Sequence, residues 1–127
     1  FDPQKTAILE QQIGKIAYHP DASATIMYWS PDKIEIHTDV SRAQLLVLSE
    51  IYYPARWKAY IDNKEVEILK ANGVLRAVEV KAGTNKVIFE YDNSLFQILH
   101  TISNFIVLFI SFYLLKPLVM VLLKNFR

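Results

Sequence analysis

The chain has 127 residues, room for one ordinary domain and little more. All 13 acidic residues and eleven of the 14 basic ones lie at or before Asp92, so the first 92 residues are acidic by two charges and carry no electrostatic footprint for nucleic acid. Cysteine is absent, which excludes disulfides, thiolate metal sites and cysteine nucleophiles.

The sequence opens at Phe1 with neither an initiator Met nor an apolar leader, as expected of a fragment or processed product whose export depends on an upstream segment or on the C-terminal helix. Residues 1–23 read as an N-terminal segment in which Thr6–Leu9 is a candidate edge strand and Gln11–Tyr18 is loop or short helix. Residues 24–93 alternate with period two and are rich in β-branched and aromatic residues, the pattern of an antiparallel β-sandwich of about seven strands, immunoglobulin- or jelly-roll-like.

The first strand, Ala24–Ser30, places Ile26 and Tyr28 on one face and Met27 and Trp29 on the other, with Tyr28 and Trp29 expected in the core or at a domain interface. After the Ser30-Pro31-Asp32-Lys33 turn, Ile34, Ile36 and Val40 alternate with Glu35, His37 and Asp39. Leu45-Leu46-Val47-Leu48 is continuously apolar and predicts a central strand covered on both sides. Trp57, Ala59 and Ile61 alternate with Lys58, Tyr60 and Asp62, and Asp62-Asn63-Lys64 suits a tight hairpin because Asn tolerates positive φ. Glu65–Leu69 is the predicted return strand. Asn72-Gly73 turns into Val74–Val80, and Ala82–Asn85 leads to a last strand with Val87, Phe89 and Tyr91 inward.

From Leu95 to Leu115 no residue is charged, and at 1.5 Å per residue such a stretch spans roughly 30 Å, the thickness of a bilayer core. Residues 94–116 are therefore read as a transmembrane helix, and 117–127 as a basic cytoplasmic tail. The polar positions His100 and Asn104 in its first half point to neighbouring helices. Lys116, Lys124 and Arg127 follow the span without a nearby acid, so the positive-inside rule puts the C-terminus in the cytoplasm and the β domain outside. A competing reading, a soluble protein whose last helix is core, is disfavoured because the remaining chain is too small to surround that helix.

Chemistry is hard to find. His19, His37 and His100 are far apart, the carboxylates alternate with apolar residues as on a wet face, and no Ser-His-Asp grouping, phosphate loop or metal-ligand spacing occurs. No catalytic residue, metal ligand or cofactor is assigned. The candidate contact surface is the aromatic cluster Tyr52, Tyr53, Arg56, Trp57 and Tyr60, which reads either as a sugar-stacking platform or as sandwich core.

The run Ser49 to Val66, with Tyr52-Tyr53-Pro54-Ala55-Arg56-Trp57 and Asp62-Asn63-Lys64, resembles the C-terminal region of the bacterial YfhO-type membrane proteins. The likeness continues through Ala71–Val80 and Ala82–Tyr91 and extends over roughly Ala24–Leu115. The family pattern is Tyr-Tyr-Pro-Gly-Trp, an Asp-Gly hairpin, an Arg-x-Val strand, a Pro-Ala-Gly turn and a Val-x-Phe-x-Tyr strand before a last membrane helix. This chain departs from it. Ala55-Arg56 replaces the single Gly before Trp57, Asn63 stands for Gly, Lys81 for Pro and Asn85 for His.

The resemblance implies a many-helix protein of the bacterial cytoplasmic membrane, similar to the GT-C glycosyltransferases that use lipid-linked sugar donors. Its catalytic acid would lie among N-terminal helices outside these residues. The expected partners are the lipid bilayer, those N-terminal helices, and a cell-envelope glycan or lipid-linked sugar. The alternative is a non-enzymatic, membrane-anchored interaction or glycan-binding module.

Overall fold

The computed structural model describes residues 2, 5–14 and 16–125, with side chains through Pro117. Contacts divide the chain into two compact units, Phe1–Asp92 and Asn93–Arg127.

The first unit is mainly β. Its strands are β1 (Ser23–Trp29), β2 (Lys33–Asp39), β3 (Gln44–Ile51), β4 (Trp57–Ile61), β5 (Lys64–Val66), β6 (Leu69–Ala71), β7 (Leu75–Val80) and β8 (Lys86–Tyr91). They form two antiparallel sheets, ordered β1-β2-β8-β4-β5 and β3-β7-β6. The side-chain period of two then sorts every strand. Ile34, Ile36, Ala59, Val87 and Phe89 from the larger sheet meet Leu48, Val78 and Val80 from the smaller one in a buried core.

Eight strands stand where seven are expected. The predicted return strand Glu65–Leu69 is broken: β5 pairs with β4 in one sheet, while β6 pairs with β7 in the other. Glu67 and Ile68 make the crossing, and Ile68 is buried in the core as it passes. A single alternating run cannot serve two sheets without such a break.

The prediction for β3 is also corrected. It is an edge strand of its sheet, not a central one. Its continuous apolar run is explained by the N-terminal segment. Leu9 and Ile13 pack with Leu45, Val47 and Leu75 around the buried Leu69, Ala71 and Ala77, on the sheet face away from the main core. This strap is tied down by a Leu9–Ala71 bridge, by Asn72 N–H donating to the Ile8 carbonyl at 2.8 Å, and by Ile8 N–H donating to Asn72 Oδ1 at 2.9 Å.

On β1 the pairing shifts between Ile26 and Tyr28, leaving Met27 as the extra residue of a bulge. Ile26 therefore sits opposite Ile36 and Trp29 opposite Ile34, while Tyr28 faces Glu35. The bulge puts Ile26 and Trp29 on one face, where strict alternation separates them. All of β1 is exposed, so Tyr28 and Trp29 are not core residues of this unit.

The Asp62-Asn63 hairpin has φ of 48° and 66°, the two positive values that a type I′ turn requires. Asn72 (φ 49°) and Gly73 (φ 80°) repeat the arrangement between β6 and β7.

The second unit is one helix, α1 (Ser94–Asn125), in which Ser94–Pro117 is long and apolar enough to cross a membrane. Helical backbone continues through Pro117, which lacks the N–H for a bond to the preceding turn. Of the basic residues expected after the span, Lys116 is exposed, Lys124 is described by its backbone only, and Arg127 lies outside the described residues.

Candidate functional site

The two ends of the sandwich differ, and register identifies which residues share each. Trp57 of β4 lies opposite Tyr91 of β8, and Lys33 of β2 opposite Glu90. Leu75 of β7 lies opposite both Ala71 and Ile51. Arg76 reaches across to Trp57, which puts these strand termini at one end. The chain leaves this end for α1. Two bonds fix the exit: Tyr91 N–H donates to the Asp32 carbonyl at 2.8 Å, and Asp92 N–H to the Arg56 carbonyl at 2.7 Å.

The expected aromatic cluster belongs to this end, but its members have different surroundings. Tyr52 and Trp57 are half-buried against the core. The Arg76 guanidinium lies 3.9 Å from the Trp57 ring centroid, and Tyr91 meets the ring edge-on at 5.6 Å. One face of Trp57 is thus already occupied by a cation from the protein itself. Tyr53 is exposed, and Arg56 is half-buried with its carbonyl committed to Asp92. Tyr60 pairs with Ile88 and Glu65, so it stands on the outer face of the larger sheet, away from Trp57.

The loop that replaces the family's glycine closes without one. Arg56 N–H and Trp57 N–H both donate to the Tyr53 carbonyl, at 3.4 and 3.1 Å, and none of residues 53–56 needs positive φ.

At the centre of this end is a buried arginine outside the aromatic cluster. Arg76 is 2 % exposed, and its Nη2 donates to Glu50 Oε2 at 3.2 Å. Among the described residues its Nε and Nη1 have no hydrogen-bond partner. Burial lowers its pKa from the ordinary value, and the neighbouring Glu50 carboxylate opposes that shift. Arg76 joins three strands: it sits on β7, pairs with β3 through Glu50, and stacks on Trp57 of β4. The signal was in the alternation, since Arg76 shares its face with Val78 and Val80.

The outer face of the larger sheet carries charge. Lys33 at 2.8 Å and Lys86 at 2.9 Å bridge Glu35. Their hydrogen bonds, that of Lys33 first, hold the Glu35 carboxyl below the usual carboxylate range. Among the described residues, no group of three or more His, Asp or Glu is placed to hold a metal ion. A groove of about 950 Å³ lies elsewhere, between the strap and β3.

On α1, His100 stacks on Phe96 with the ring centroids 6.3 Å apart, and Asn104 is exposed. Gln97, His100, Thr101, Asn104 and Ser111 fall within about 100° of helix surface at 3.6 residues per turn, a polar stripe with Ser103 about 60° beyond its edge. Asn93 precedes the helix, with its Oδ1 accepting from Gln97 Nε2 at 2.7 Å.

Comparison with known proteins gives one family. No curated protein and no solved structure matches the chain. A family model described as "Bacterial membrane protein YfhO" matches residues 9–103, which run from the strap through the sandwich into the apolar helix. The chain is therefore that of a membrane protein, and it belongs to the YfhO family.

Proposed function

We propose that this chain is the extracytoplasmic C-terminal domain and last membrane helix of a many-helix protein of the bacterial cytoplasmic membrane. Its sandwich assists transfer of sugar from a lipid-linked donor to a cell-envelope acceptor. The observation that carries the reading is the polar stripe on α1. Amide, imidazole and hydroxyl groups facing lipid are unfavourable, whereas across a helix–helix contact they hydrogen-bond. Such a stripe suits a span with neighbours better than a lone anchor.

The sandwich itself is assigned a positioning role. Trp57 is stacked by Arg76 and edged by Tyr91, which leaves Tyr53 as the exposed aromatic of the cluster. The basic residues after the span support an orientation with the C-terminus in the cytoplasm. The YfhO likeness to GT-C transferases supports the reaction class, with the catalytic acid on another part of the parent.

The test uses membrane vesicles carrying the full-length protein and a radiolabelled polyprenyl-phosphate sugar. Label is expected to enter an envelope glycan, and to fall several-fold when His100 and Asn104 are both replaced by leucine. Vesicles that transfer no label from any such donor contradict the reading. The second reading, a glycan-binding module without transfer, is favoured by the exposed Tyr53. It predicts glycan binding that Tyr53→Ala abolishes in a protein with no transfer activity.

A further inference from the structure

The exposed apolar side chains of the sandwich are unevenly distributed. At the end from which the chain enters α1, Tyr28 and Trp29 close β1, Ile51 closes β3, Tyr53 lies in the next loop, and Val74 follows the Asn72-Gly73 turn. All five are at least half exposed, with Ile51 at 73 % and Trp29 and Val74 both at 61 %. Ile8, also exposed, is hydrogen-bonded beside the same turn. The opposite end is made by Ser41-Arg42, Asp62-Asn63 and Lys81–Asn85, and there Tyr18, next to the Ala17 carbonyl that accepts from Gln44, is the large exposed apolar residue among the described residues.

Folding alone gives no reason for this asymmetry. Apolar surface gathered at one end marks a contact with something other than water. Chain continuity says what lies close by. Two residues, Asp92 and Asn93, separate Tyr91 from Ser94, where the apolar helix begins, so at most about 10 Å of extended chain joins this end to the membrane entry. A helix of this length places its first turn at the lipid headgroups.

We propose that the helix-proximal end of the sandwich is a membrane-seating surface, with Trp29, Tyr28, Tyr53, Ile51 and Val74 immersed at the boundary between headgroups and acyl chains. The partner is the phospholipid interface itself. Trp and Tyr suit that layer because each joins an apolar ring to a polar tip. Ile51 and Val74 supply aliphatic surface. Backbone satisfaction is the second requirement near lipid. The N–H groups of Tyr52, Trp57, Val74, Tyr91 and Asp92 all donate to carbonyls of the protein. Arg56 and Lys33 at the same end suit phosphate oxygens. This inference needs only the membrane span, and stands or falls independently of sugar transfer.

The experiment uses the full chain in vesicles of mixed zwitterionic and anionic phospholipid. Because the chain has no cysteine, Ile51→Cys, Val74→Cys and Arg42→Cys each give one site for a nitroxide label. Labels at 51 and 74 are expected to collide several-fold more with oxygen than with a water-soluble nickel chelate, and the label at 42 to show the reverse. The unlabelled chain gives a second readout without mutation. Lipid brominated near the headgroup is expected to quench tryptophan emission strongly, and Trp29→Phe to remove most of that quenching. Nickel access at 51 and 74 equal to that at 42, with no quenching by brominated lipid, overturns the proposal by placing the end in water. Protection of both sites from oxygen and nickel alike also overturns it, because the cover is then protein.

Discussion

Arg76 is the residue on which the sandwich's helix-proximal end depends most. A guanidinium that is 2 % exposed has lost its hydration, and it recovers one ion pair, to Glu50, and two ring contacts, to Trp57 and more distantly to Phe89. Removing Glu50 leaves the buried charge with less compensation. Glu50→Gln is expected to destabilise the fold by about 1–2 kcal/mol, less than a fully buried pair because Glu50 is half exposed. Adding Arg76→Met to that variant is expected to recover part of the loss. Urea unfolding of the detergent-solubilised chain, followed by tryptophan emission, checks both. A double variant less stable than Glu50→Gln alone contradicts this account of Arg76.

Glu35 makes a separate, pH-dependent prediction. Its carboxyl is held low by Lys33 and Lys86 in the folded protein, so its stabilising effect is present above the unfolded carboxylate pKa and is lost as pH falls through the lower folded value. The gap in stability between the wild type and Glu35→Gln is expected to close under acid, and to shrink in high salt because these groups are partly open to solvent. Denaturation midpoints measured from neutral to acid pH test it, and a gap that widens under acid contradicts it. At this scale the sequence was only partly legible. The inward set Trp57, Ala59, Val87 and Phe89 followed from alternation. The importance of Arg76 did not, because a cation among inward positions acquires meaning only when Trp57 and Glu50 are known to lie beside it.

The elements were more legible than the residues. Strand positions β1, β2, β4, β7 and β8 follow directly from period two, and the Asp62-Asn63 turn from the chemistry of Asn. That turn is open to improvement. Asn63, at φ 66°, occupies a position where glycine is the least strained residue, so Asn63→Gly is expected to be neutral or to stabilise by about 0.5 kcal/mol. Asn63→Val is expected to cost about 1–2 kcal/mol through left-handed strain. The same urea titration separates them, and equal stability of the two variants contradicts the turn assignment. Three features escaped alternation, each because it depends on partners that the pattern of a single strand does not reveal. The break at Glu67-Ile68 exists because β5 and β6 join different sheets. The cover on Leu45 and Val47 comes from Leu9 and Ile13, more than 30 positions upstream. The bulge at Met27 is fixed by pairing with β2.

For the whole molecule, hydropathy alone revealed the span, and the order of short motifs revealed the family before any contact was known. The helix runs on past Pro117 to Asn125, because one lost backbone bond does not outweigh the apolar and helix-forming residues on either side. The orientation of the span is the claim on which the proposed role rests, since a sandwich inside the cytoplasm could not meet a lipid-linked donor at the outer face. Single cysteines replacing Lys81, in the loop between β7 and β8, and Lys124, after the span, allow it to be read in intact spheroplasts with a membrane-impermeant maleimide. The account predicts that Lys81→Cys is labelled at once and Lys124→Cys only after the membrane is permeabilised. Labelling of Lys124→Cys in intact spheroplasts, with Lys81→Cys protected until permeabilisation, would contradict it.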